Sequence, residues 1–180
     1  MRVWPEPRGC AGAAGSLLAV QPPSAWLSLE LDPGTASFFG LPERVQIPAP
    51  EDGALPVADG RLSMTGLGEA LTRAAAEHPE VLARSEIRRF LDRWPRYADL
   101  DRYLRVGNGR FARQVAEQLL KDDPEDPPAR VTLACLAAGE DRWQEAAQGF
   151  LGALERAPNY APARLHLALA SAAAGDRAAA

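Results

Sequence analysis

P-A-R-V-T-L-A-C-L-A-A-G at 128–139, followed by D-R-W-Q-E-A-A-Q-G-F-L-G-A-L-E-R-A-P at 141–158, is the stretch whose reading decides the fold. Its small and apolar residues return every three or four positions, the spacing that gathers them on one side of a helix. Two helices are expected, separated near Gly139 and ended by Pro158, which has no N–H to donate and cannot continue a helix. Ala134 and Ala146 are placed to let the pair approach closely. Phe150 is placed to fill the space towards the next element.

The pattern repeats. A shift of 34 residues superposes Ala112 on Ala146 and Ala180, Pro124 on Pro158, Leu133-Ala134 on Leu167-Ala168 and Ala129-Arg130 on Ala163-Arg164, and two shifts superpose Gly107 on Gly175. A helix–turn–helix unit of this period, with Leu-small on its first helix, small-x-x-x-aromatic on its second and Pro at the end, resembles the tetratricopeptide repeat. The best unit is 127–160, where Arg130 departs from the large apolar residue usual at its place. The unit 93–126 fits through Leu100, Tyr103, Gly107, Ala112 and Pro124 and departs at Asp99, Ala116 and Leu119. A third, 161–180, contains Leu167, Ala168 and Gly175 and breaks off at the start of its second helix. Its tail R-A-A-A offers no polar cap, which suggests a piece of a longer array or a trimmed end.

The resemblance implies a mainly α protein, an α-solenoid of helical hairpins. It also implies a concave groove lined by first helices, which on this chain selects Trp94, Tyr97, Asp101 and Arg105, then Val131 and Cys135, then Leu165 and Leu169. This groove is mostly apolar, with Trp94 and Tyr97 as aromatic anchors, and suits an amphipathic helix or an extended apolar peptide. The family's carboxylate-clamping sites use Lys, Asn and Arg; Tyr97, Asp101, Thr132, Pro162 and His166 stand at the matching places, which argues against that ligand. The implied function is a scaffold or adaptor for another protein or peptide, without catalysis. Alternatives are an accessory or substrate-recognition part of a modifying assembly, a structural module that self-associates through the C-terminal repeat, and a groove already covered by the chain's own first 60 residues.

Those first residues follow a different grammar. Residues 1–60 hold nine of the sixteen prolines and seven of the fifteen glycines, which argues against helices and for short strands. Leu27, Leu29 and Leu31 alternate with Ser28 and Glu30, the period of a half-buried strand, and Asp32-Pro33-Gly34 reads as a turn. Asp59-Gly60 between Val57-Ala58 and Arg61-Leu62 predicts a tight hairpin. From Gly66 the helical period takes over, giving two linking helices over 66–92. The first has Thr65 as its expected N-cap; the second runs from Pro79 to Trp94 and ends before Pro95.

Composition excludes several function classes. The net charge of −4 arises in residues 1–60, and the rest is balanced, so a phosphate-binding face and a nucleic-acid partner are not expected. Two cysteines, Cys10 and Cys135, are too few for a disulfide framework, and no secretory leader or membrane span is legible, so a cytoplasmic location is the default. Lys121 is the one Lys among twenty basic residues, a bias that suggests a GC-rich bacterial genome. His78 and His166 lack ligand-spaced partners, and no metal or cofactor is expected. Cys135 reads as a small buried hydrophobe, Cys10 has no base beside it, and G-N-G at 107–109 reads as an inter-helix turn. The acids around Pro124 (Asp122, Asp123, Glu125 and Asp126) read as a solvated loop.

Overall fold

The computed structural model describes residues 26–48, 57–58, 61–62 and 64–175. Cys10, the Asp59-Gly60 dipeptide and the 177–180 tail lie outside the described residues. The protein is mainly helical. The described residues fall into two compact units, 26–95 and 96–175.

In the first unit, β1 (Trp26–Glu30) pairs antiparallel with β2 (Arg44–Pro48), Leu29 opposite Val45 and Leu27 opposite Ile47. Leu29, Val45 and Ile47 are buried. Between the strands runs a helix, α1 (Pro33–Phe39), where a turn was expected. Local chemistry explains the difference: the Asp32 carboxylate accepts the Thr35 N–H at 3.0 Å, Pro33 stands at a position whose N–H no helix needs, and Gly40 closes the element at φ 64°. About two turns of capped helix fit between the strands even in proline-rich sequence. The short strands β3 (Val57–Ala58) and β4 (Arg61–Leu62) pair antiparallel as the dipeptide between them predicts.

The linking helices belong to this unit. α2 (Met64–Glu77) begins before Thr65, which is therefore inside the helix rather than its cap, and packs against β2. A 3-10 turn (Pro79–Ala83) follows, and then α3 (Ser85–Arg105), which continues through Pro95. The expected stop at Trp94 is thus corrected. An interior proline costs about 3 kcal/mol, but α3 buries Ile87 and Phe90 before it and Tyr97 and Leu100 after it; four large side chains removed from water outweigh one lost hydrogen bond. The division between units falls after Pro95, within this helix, so the second unit begins three residues past the expected start of the repeats at 93.

The second unit is helix upon helix: α4 (Gly109–Asp122), α5 (Pro127–Gly139), α6 (Trp143–Arg156) and α7 (Ala161–Ala173), each packed on its neighbour in sequence. α5 and α6 approach closely because small residues face each other. A Cβ placed on Gly149 would lie 2.8 Å from the Ala134 Cβ. Ala134, Ala146 and Phe150 are all buried, as their spacing predicts. Arg130, the departure from the repeat pattern, spans the same seam: its Nη1 donates to the Gly152 carbonyl at 2.8 Å and its Nε to the Pro124 carbonyl at 3.1 Å. Gly152 leaves room for the guanidinium, because a Cβ there would come within 2.7 Å of it.

The turns carry the period in backbone form. Gly107, Asp141 and Gly175, spaced by 34, all adopt the left-handed conformation, at φ 70°, 59° and 85°. The sequence comparison matched the two glycines, and the backbone adds the aspartate between them. A side chain in this region carries a strain of about 1 kcal/mol, relieved in glycine. Asp141→Gly is therefore expected to raise stability by at most about 0.5 kcal/mol, net of the freedom glycine adds to the unfolded chain. Gly149→Val is expected to lower it by about 1–3 kcal/mol through overpacking against Ala134. Urea unfolding followed by circular dichroism measures both.

Candidate functional site

The interior of the second unit is organised around Asp126. Asp126 and the two prolines after it start α5: its carboxylate accepts the Ala129 N–H at 2.9 Å, and Pro127 and Pro128 occupy the first helical positions. The same carboxylate accepts the Tyr97 hydroxyl of α3 at 2.7 Å, and Asp126 is fully buried. The expectation that the acids around Pro124 are all solvated is corrected for this residue. Asp122 and Glu125 are exposed, and Asp123 receives Arg156 from the end of α6 at 3.2 Å.

This arrangement determines which expected groove residues face solvent. Tyr97, expected as an aromatic anchor, is 6% exposed and held inward by its bond to Asp126. Val131 is 1% exposed. It lies on the helix flanked by both α4 and α6, whose residues Pro127, Pro128, Ala129, Thr132, Ala134, Ala137 and Ala138 are buried as well; a helix apolar nearly all round is a core helix. Both are thus buried where the groove reading has them facing a partner. Trp94 belongs to the first unit, with its indole against the backbone of Gly68 and its ring centroid 5.6 Å from that of Phe90. Asp101 and Arg105 form an ion pair at 2.8 Å along α3. Cys135 is half-buried.

Leu165 and Leu169 do face solvent, 61% and 40% exposed. α7 turns Ala163 and Ala170 into the core and stacks His166 on Phe150, with ring centroids 5.4 Å apart. Leu165 stands two residues beyond Ala163, about 200° round the helix, and Leu169 follows four later on the same side. His166 thus acts as a packing aromatic.

Two features escaped the sequence reading. One is the corner between α3 and α4, where Val106 and Phe111 are exposed and Tyr103 stacks on Phe111 at 5.4 Å. Apolar residues on both sides of G-N-G were the available signal. The other is a cleft of about 260 Å³ in the first unit, lined by Trp26, Gln46, Glu80, Val81, Arg84 and Ile87. Beside it His78 lies 3.1 Å from Glu80 and edge-on to Trp26. The Glu80 carboxyl is held below the ordinary carboxylate range by a backbone N–H and by His78.

At the α5–α6 turn, Glu140 receives Arg142 at 2.5 Å and Arg113 of α4 at 2.8 Å. These hydrogen bonds and charges, Arg142 first, hold its carboxyl below the usual range. The network is exposed and fixes the turn rather than preparing a reactive group. Among the described residues, no group of three or more His, Cys, Asp and Glu is gathered to hold a metal ion, and no helix is long and apolar enough to cross a membrane. Comparison with protein-family models, curated proteins and solved structures gives no match.

Breaking the Asp126 link has a calculable cost. Tyr97→Phe leaves a buried acceptor short of a donor and is expected to cost about 1–3 kcal/mol. In an Asp126→Ala background the same change is expected to cost much less, because the two side chains act as one unit. A double-mutant cycle from urea unfolding checks this, and additive losses would show that the bond carries no energy of its own.

Proposed function

We propose that residues 96–175 form tetratricopeptide-like repeats and that the protein is a non-catalytic adaptor, binding an amphipathic helix or an extended apolar peptide through α7. The observation that carries this reading is the exposed pair Leu165 and Leu169, four residues apart on one face of a helix whose opposite face is packed. Left-handed turns at 107, 141 and 175 support the repeat. Cys135, 34 residues before Leu169, extends the face onto α5. With Tyr97 and Val131 enclosed, the binding face is narrower than the full row of first-helix positions and lies towards the last helix.

An amphipathic partner laying an apolar stripe on these leucines removes two large side chains from water, at about 1.5–3 kcal/mol each when fully buried. The test is affinity capture from cells of the source organism with three forms of the full chain, their folding checked by circular dichroism. A partner retained by native protein and by Leu151→Asp, an equally exposed leucine on α6, but lost by Leu165→Asp/Leu169→Asp, supports the reading. Equal loss in both variants, or a partner indifferent to both, contradicts it. Concentration-dependent light scattering abolished by the α7 double variant favours a second copy of the chain as the occupant.

A further inference from the structure

We infer that the corner between α3 and α4 is a second, separate docking surface, which takes an acidic peptide segment carrying a large apolar side chain. Val106 is 69% exposed and Phe111 47% exposed, on either side of a turn. Phe111 stacks on Tyr103 with the rings 25° from parallel, and the Arg102 guanidinium lies over the Tyr103 ring at 4.9 Å. The aromatic pair is therefore held in place before any ligand arrives, which lowers the entropic cost of binding.

Charge selects the partner. Residues 102–116 contain Arg102, Arg105, Arg110 and Arg113 and no Asp or Glu, in a chain whose net charge is −4. Arg102 pairs with Asp99, Arg105 with Asp101 and Arg113 with Glu140. Arg110 is exposed and makes no ion pair among the described residues. An incoming carboxylate meets Arg110 directly and Arg105, whose side chain is 69% exposed, while an aliphatic or aromatic side chain covers Val106 and the outer part of Phe111. This joins an apolar anchor to a charged rim, the usual division of labour at a protein interface.

A single-stranded nucleic acid is the competing ligand for rings beside arginines, and the geometry disfavours it. Tyr103 already carries Phe111 and Arg102, so the corner offers one ring rather than a row of stacking platforms.

The experiment uses the full chain and a fluorescein-labelled nonapeptide of Glu interspersed with Leu and Trp, followed by fluorescence anisotropy at low and at physiological salt. Saturable binding that weakens with salt is expected. Arg110→Glu and Val106→Asp, at exposed positions that leave the fold intact by circular dichroism, are each expected to raise Kd about tenfold, or 1.4 kcal/mol. Leu165→Asp/Leu169→Asp is expected to leave Kd unchanged, which separates this surface from the α7 face. No saturable binding, equal affinity in the corner variants, equal affinity for a Gln-for-Glu peptide, or displacement of the peptide by a thymidine oligonucleotide at lower concentration overturns the inference.

Discussion

The bond from the Tyr97 hydroxyl to the Asp126 carboxylate is the constraint on which the rest of the helical unit depends. It joins two helices from positions 29 residues apart, and its acceptor also caps the helix that begins beside it. A buried carboxylate is costly unless its lone pairs are occupied, so the start of α5 and the inner face of α3 stabilise each other or fail together. Once α5 is held there, its small residues set the spacing to α6 through Ala134 and Gly149, and Phe150 passes the packing on to His166 of α7. Arg130 and Arg156 tie the ends of these helices to the turn around Pro124.

This enclosure divides the positions that the 34-residue period treats as equivalent. Tyr97, Val131 and Leu165 stand at one repeat position, yet the first two are buried and the third is largely exposed. The difference lies in neighbours: α5 packs extensively on both α4 and α6, while the extensive packing of α7 among the described residues is on α6. An exposed apolar row inferred from repeat position alone is therefore too long, and the part that faces solvent is at α7. The aromatic and cationic corner shares Tyr103 and its turn with the 34-residue pattern, but its Val106, Arg110 and Phe111 do not recur: Glu140, Gln144 and Glu145 stand one period on.

Much of the helical unit was legible because its signals are local. The three-and-four spacing gave α4 to α7, Pro124 and Pro158 gave the stops, and Gly107 with Asn108 gave the turn into α4. Around Asp32 the local signals were present but ambiguous, since Asp-Pro-Gly opens a turn or a helix equally well and the choice rests on whether the Asp side chain reaches Thr35 N–H. Strand β2 carried a readable alternation, with Val45 and Ile47 buried between exposed Arg44 and Gln46, but it was hidden among prolines. Pro95 misled because a local penalty was set against burial by residues on both sides of it. The Tyr97–Asp126 contact was not legible at all: no local pattern tells a solvated loop acid from one that a distant hydroxyl will meet.

Native-state hydrogen exchange resolved along residues 96–175 tests the central claim most directly, because it reports which helix the others enclose. The account predicts the slowest amides in α5, from Val131 to Ala138, with α7 exchanging faster and Tyr97→Phe accelerating α5 more than α6. Exchange in α5 as fast as in α7, or an α5 indifferent to Tyr97→Phe, would contradict it.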